Sequence, residues 1–273
     1  MFGRRVPFMS FPVYLHVGSL RIHPHGFFET LAYIVSFRVY LLLRRRRGDA
    51  VPDVDRWWVI AAGAVGAVVG SKLLYWFEDP AATIRHLADP AFLLGGKTIV
   101  GALIGALFSV EAVKKYLGIS RRTGDLFALP LCVGIAIGRV GCFLTGLEDH
   151  TSGVATSLPW GVNFGDGVPR HATQLYEIIF VLFLAALIVV ASRRPHCEGD
   201  LFRIFMVGYC AFRLCVDSLK PDVHVLAGLS SIQWACLLML LYYAPDVLRW
   251  LGMKPIYRAA AAELETSETV RAE

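Results

Sequence analysis

The sequence predicts an all-α polytopic membrane protein of about seven transmembrane helices, with its N-terminus outside and its C-terminus in the cytoplasm. Three observations carry that prediction. Hydrophobic residues make up 56% of the 273, charged residues only 18%, and mean hydropathy is +0.54, a composition more apolar than that of a water-soluble domain. Apolar stretches long enough for a crossing of roughly 20 residues recur at 27–43, 57–77, 92–113, 126–146, 173–191, 201–219 and 229–244. Lysine and arginine collect after alternate stretches, which sets the orientation.

Residues 1–26 open with two arginines, but Pro7, Pro12, His23, Pro24 and His25 fall where a signal peptide needs a continuous apolar run. They read as an external, uncleaved N-terminal segment. Span one ends in Arg44 to Arg47, span three in Lys114, Lys115, Arg121 and Arg122, span five in Arg193 and Arg194, and span seven in Arg249, Lys254 and Arg258. The intervening loops hold isolated cations such as Arg85, Arg170 and Lys220. The positive-inside rule therefore places the first set in the cytoplasm.

Residues 27–250 form one membrane domain without an internal repeat, and 251–273 form a polar cytoplasmic tail with no core of its own. Glycines at four-residue spacing, Gly66/Gly70, Gly101/Gly105 and Gly134/Gly138, suit close helix packing. The six cysteines show no CxxC spacing and fall mostly in spans, so buried thiols are expected rather than zinc or disulfides. The net charge of +5 is accounted for by the cytoplasmic clusters and gives no argument for nucleic acid.

Ionisable residues that the bilayer does not explain gather near one face. Arg139 closes an apolar, glycine-punctuated span in GRVGCFLTGLEDHTSG, ahead of Glu148, Asp149 and His150; a charge at that depth is costly and calls for a purpose. In RHATQLYE, after Pro169, helical spacing would put Arg170, Gln174 and Glu177 on one face, with His171 and Thr173 nearby. In GYCAFRLCVDSLKPD, Tyr209, Arg213 and Asp217 recur at intervals of four, with Lys220 and Asp222 following. Arg213 and Asp217 either neutralise each other or, with Arg139, hold an anion.

GGKTIVGA sets Lys97 inside span three as an interior cation or a snorkelling side chain. It is not a nucleotide loop, since Ala91 stands where a Walker motif needs its first glycine. HPHG offers His23 and His25 without an Asp, Glu or Cys at ligand spacing, so no metal is expected there.

These segments carry a family resemblance. GRVGCFLTGLE resembles the Gly-Arg-x-Gly-Asn-Phe-x-Asn-x-Glu signature of the bacterial prolipoprotein diacylglyceryl transferases. RHATQLYE resembles their Arg-His-Pro-Ser-Gln-Leu-Tyr-Glu turn, and GYCAFRLCVDSLKPD resembles their Gly-Tyr-Gly-x-Phe-Arg-x-x-x-Glu-x-x-Arg-x-Pro-Asp segment. The likeness spans about His23 to Asp222. It departs from the pattern where Val100 stands for a histidine, Cys142 for an asparagine, His25 for a tyrosine, and one residue is inserted before Gly153.

The resemblance implies transfer of a diacylglyceryl group from phosphatidylglycerol to the lipobox cysteine in the signal peptide of a prolipoprotein, releasing glycerol phosphate. It implies no cofactor, a bacterial inner-membrane location among membrane lipids, and an active site on the periplasmic side. Arg139 and Arg213 match arginines at the lipid phosphate, and Glu148 matches an acidic residue that orients an arginine or the glycerol. With Val100 unable to move a proton, His171 and His25 are the candidate bases. Gly138, Gly141, Cys142, Arg170, Gln174, Tyr176, Tyr209 and Asp217 are the expected substrate-binding residues, together with Lys97, which has no counterpart in the family pattern and offers a positive charge near the missing histidine. Loss of the histidine leaves, as the alternative, a non-catalytic phospholipid-binding or lipid-moving protein of the same fold, or a transferase with a different anionic lipid or acceptor.

Overall fold

The computed structural model describes residues 11–49, 51–221 and 223–252. Asp222, most of the polar tail and the first ten residues lie outside the described residues. Among the described residues, each apolar stretch contributes a long helix, the third only from Ile99 on: α1 (Pro24–Arg47), α2 (Asp53–Trp76), α5 (Ile99–Tyr116), α6 (Asp125–Thr145), α7 (Thr173–Ala191), α8 (Asp200–Val216) and α9 (Ser231–Trp250). Two short helices, α3 (Pro80–Arg85) and α4 (Pro90–Leu94), lie between α2 and α5, each started by a proline with an aspartate capping its first turn. Five of the long helices, α1, α2, α6, α7 and α9, are long and apolar enough to cross a membrane. Outward faces keep large apolar residues such as Ile34, Val68, Ile179, Phe183 and Leu241 exposed, the surface that lipid requires and water penalises.

The third apolar stretch, expected at 92–113, is broken. Leu93, Leu94 and the two glycines after them hide the break from hydropathy, but Gly96 takes a φ of +36° and the chain leaves helical geometry until Ile99. The ammonium of Lys72 on α2 donates to the carbonyls of Leu94, Gly95 and Gly96, satisfying groups that an unbroken helix would have bonded. Thr98 then caps α5 by accepting from Gly101 N at 3.2 Å, while its own N–H donates to Ser71 Oγ at 3.0 Å. Lys97 therefore sits in a loop and is half exposed, rather than inside a span.

Four packed helix pairs set the frame: α2 on α5, α1 on α6, α6 on α7 and α8 on α9. The α2–α5 crossing is backbone on backbone. A Cβ added at Gly70 would come within 2.3 Å of Gly101 O, and one at Gly105 within 2.1 Å of Gly66 O, so the glycine spacing seen in the sequence is a contact surface. Gly141 does the same for α6 against α1, where a Cβ would meet Phe28 Cβ at 2.8 Å. Val100 and Leu103, Cys132 and Ile135, Val181 and Leu184, Phe205 and Tyr209, and Cys236 and Met239 join α5 to α9 in one buried core. All six cysteines are unpaired; Cys197 and Cys215 are exposed and the other four are buried.

The two ends of the bundle differ. At one end Arg47 donates to Ser192 Oγ at 3.0 Å and Arg249 reaches Asp200, tying the basic end of α1 to the end of α7 and that of α9 to the start of α8. The other end is closed by short β elements. Strands β1 (Leu15–Val17) and β2 (Leu20–Ile22) pair antiparallel, as do β3 (Val162–Asn163) and β4 (Pro169–Arg170). Val13 N donates to Leu144 O at 2.8 Å, and Phe11 packs edge-on against Phe143 and Phe164. The described part of the N-terminal segment is thereby fastened over the end of α6.

Candidate active site

At the β-capped end, three helices aim ionised groups at one buried point. Glu177 is the sole carboxylate and sole charged side chain of α7, and its side chain is 2% exposed. Its Oε2 lies 2.9 Å from Arg139 Nε on α6 and 3.3 Å from Arg213 Nη1 on α8, and its Oε1 accepts from Tyr209 Oη at 2.7 Å. Arg213 Nη2 continues to Asp217 Oδ1 at 2.7 Å, and Asp217 Oδ2 accepts from Ser230 Oγ at 2.7 Å. Ser230 also caps α9 by accepting from Gln233 N at 3.1 Å, which ties that helix start to the end of α8.

A buried charge is tolerated when it is paired, and here two guanidiniums face two carboxylates. Lys220, just past α8, adds a third cation. Burial, then Arg213 and Arg139, push its ammonium down to about 8. While Lys220 is protonated, the group holds one positive charge in excess. The Nε groups of Arg139 and Arg213 have no aligned acceptor; for Arg139 the Glu177 contact is an ion pair off the N–H direction. An anion is the ligand such a cluster suits.

The structure brings together Arg139, Arg213, Tyr209 and Asp217 from the sequence-predicted set. Glu177 is the residue that sequence reading left out of the set, although the argument applied to Arg139 applies equally to it: it is a single charge in an otherwise apolar span. Glu148, expected to orient an arginine, is instead 59% exposed and 3.7 Å from His23 Nε2; Glu177 takes the place at the arginines. Arg170 does not share a face with Gln174 and Glu177, because α7 starts only at Thr173. It lies on β4 and bonds Asp166 through Nε and Nη2 at 3.1 and 2.7 Å, holding the Asp166 carboxyl below its ordinary range. Gly141 serves helix packing, whereas a Cβ at Gly138 would meet nothing within 4 Å, so room remains one residue from Arg139.

A second set of polar groups borders the first. His25, at the start of α1, contacts Asp149 Oδ1 through Nδ1 at 2.7 Å and Glu29 Oε2 through Nε2 at 3.5 Å. Lys97 pairs with Glu29, so it faces this network rather than the arginines. Asp149 accepts from Thr151 Oγ1 at 2.7 Å, and Thr151 Oγ1 accepts from buried Gln174 at 3.1 Å. Cys142 is buried with its sulfur 3.7 Å from Arg139 Nη1, linking the two sets. His171 is half buried, with Nδ1 3.1 Å from Tyr176 Oη, which also accepts from Trp160 Nε1 at 3.0 Å. Its backbone pairs with Gly153 and Val154, which holds the loop after α6 against the start of α7. Val100, which the sequence resemblance sets against a histidine, is 2% exposed in the apolar core.

Comparison with known proteins identifies the family. The family model described as "Prolipoprotein diacylglyceryl transferase" matches residues 12–245. A phosphatidylglycerol–prolipoprotein diacylglyceryl transferase of Bordetella bronchiseptica is 34% identical over 252 residues, covering 84% of this chain and 91% of the relative. One of Paracidovorax citrulli is 30% identical over 268 residues, covering 88% and 94%. One of Geobacter sulfurreducens is 32% identical over 228 residues, covering 80% and 86%. This chain belongs to the prolipoprotein diacylglyceryl transferase family.

Proposed function

We propose that the protein transfers a diacylglyceryl group from phosphatidylglycerol to the lipobox cysteine thiol of a prolipoprotein, and that the buried arginine pair is where the lipid phosphate binds. The observation that carries this reading is the pair itself: Arg139 and Arg213, from two different helices, converge on Glu177 with a third cation, Lys220, close by. Glu177 and Asp217 hold the guanidiniums in place before a ligand arrives, so little reorganisation is needed when charge develops.

In the reaction the sulfur of the incoming cysteine bonds to the glycerol carbon that carries the phosphate. The carbon–oxygen bond breaks, and glycerol phosphate leaves with the electron pair. The arginines and Lys220 stabilise the charge gathering on its oxygens, with Arg able to offer two parallel donors. The thiol proton must go to a base, because the thiolate is the nucleophile. His171 is the base we assign. Both ring nitrogens of His25 are turned toward carboxylates, whereas His171 contacts Tyr176 through Nδ1, so a tautomer with its proton on Nδ1 directs an open lone pair from Nε2.

The topology is seven spans within a single membrane domain of residues 27–250, N-terminus out and C-terminus in. In support, the basic ends of α1, α7 and α9 gather at one end of the bundle, opposite the arginine pair. The active site then faces the periplasmic side of a bacterial inner membrane. The test is purified protein in phosphatidylglycerol liposomes with a lipobox peptide: glycerol phosphate and lipidated peptide are expected, and absence of both from folded protein overturns the reading. The burial of Val100 favours a second reading, a phospholipid-binding protein without turnover. Its signature is retained phosphatidylglycerol binding with no glycerol phosphate released.

A further inference from the structure

We propose that His25, Cys142 and Asp149 form a binding site for Zn²⁺, built from the start of α1 and the end of α6. The three are distant in sequence, yet one donor atom from each lies within 4.8 Å of the others. The donor set is an imidazole nitrogen, a thiol sulfur and a carboxylate oxygen, which are the ligand types that borderline divalent zinc takes at about 2.0–2.3 Å. Bonds of that length place tetrahedral donors roughly 3.3–3.8 Å apart. The His25–Asp149 contact of 2.7 Å therefore has to open slightly and the longest separation to close, both by about one ångström of side-chain rotation.

The surroundings also suit a metal. A ligating histidine characteristically gives its other ring nitrogen to a carboxylate, and Nε2 of His25 faces Glu29, which Lys97 holds in turn. Asp149 accepts from Thr151, fixing the carboxylate that would ligate. The Arg139 guanidinium at 3.7 Å from Cys142 Sγ supplies a donor toward the sulfur. Cys142 and the Asp149 side chain are buried while His25 is 29% exposed, so an ion has a route in from one side. On binding, the Cys142 thiol proton and the Nδ1 proton of the His25 imidazolium pass to water, while Nε2 keeps its proton toward Glu29, so that the imidazole ligates as the neutral ring. One thiolate and one carboxylate neutralise the metal's two charges, and three protein donors leave a fourth position for water.

The site does not rest on the transferase reading, and its test needs no lipid turnover. Full-length protein in phosphatidylcholine nanodiscs is titrated with Co²⁺ as a spectroscopic probe and with Zn²⁺ by calorimetry. The expected results are one ion per chain, a thiolate-to-cobalt charge-transfer band, and displacement of cobalt by zinc. Cys142→Ser should abolish the band and weaken Zn²⁺ by more than the 10- to 100-fold that Glu29→Gln, an outer-shell change, is expected to cost. Both variants are close in size to the native residues, and circular dichroism confirms that each is folded. Equal Zn²⁺ affinity in Cys142→Ser and the parent, or a cobalt spectrum without the thiolate band, overturns the proposal.

Discussion

Replacing Glu177 with Gln removes the one carboxylate that both guanidiniums share, while leaving an amide of nearly the same shape. Three partners lose the charge at once: Arg139 Nε at 2.9 Å, Arg213 Nη1 at 3.3 Å and Tyr209 Oη at 2.7 Å. Arg213 keeps Asp217, but Arg139 is left as a buried cation without a carboxylate. Breaking a buried ion pair by removing one partner costs about 3–5 kcal/mol. At about 2–4 °C per kcal/mol for a chain of this size, the unfolding midpoint should fall by about 6–20 °C. The assay is thermal unfolding of detergent-solubilised protein followed by tryptophan fluorescence. Glu148→Gln is the control, because that carboxylate is 59% exposed and an exposed pair is worth at most about 1 kcal/mol. Equal midpoints for the two variants would refute the claim that Glu177 anchors the arginines.

Lys220, pushed down to about 8 by burial and by Arg213 and Arg139, is charged below that pH and neutral above it, so phosphatidylglycerol binding should weaken as pH rises through about 8, and Lys220→Arg should flatten the profile. The linked stability has the opposite trend: between about 8 and the ordinary lysine range the unfolded chain binds more protons, so stability should rise with pH there, and less so in the Arg variant. Arg170→Ala should shift stability by no more than about 1 kcal/mol in thermal unfolding, because Arg170 on β4 pairs with Asp166 in the connection just before that strand, where both side chains stay partly exposed to solvent. Gly105→Val should lower stability by about 1–3 kcal/mol or more, since its Cβ would lie within 2.1 Å of Gly66 O, and the loss should appear as poor recovery of folded protein.

The long helices were legible in the sequence because hydropathy reports burial and lipid contact residue by residue, and each apolar stretch overlaps a helix. The break before α5 was not, since the leucines and glycines at 93–96 are apolar whether helical or not, and the Lys72 contacts that satisfy the loop come from another helix. The short strands at the capped end escaped for a related reason: two- and three-residue ladders have too little periodicity to read. At the site, Arg139, Tyr209, Arg213 and Asp217 were visible as charges or polar groups in apolar helices. The four-residue spacing in α8 already aligned three of them. Extending that spacing back from α7 to Arg170 failed because the chain there is a strand. The grouping of His25, Cys142 and Asp149 depends on α1 packing against α6 across more than a hundred residues, which local spacing does not encode.

The central claim is that Arg139 and Arg213 hold the lipid phosphate as paired forks rather than serving only as buried ion-pair partners. Its most direct test is glycerol phosphate release by Arg139→Lys and Arg213→Lys in phosphatidylglycerol liposomes with a lipobox peptide, beside a measure of folded protein. A lysine keeps the positive charge toward Glu177 but loses the bidentate geometry. The account predicts folded variants whose kcat falls by about 100- to 1000-fold, the scale of losing one donor aimed at developing charge. Folded lysine variants that release glycerol phosphate at the parent rate would contradict it.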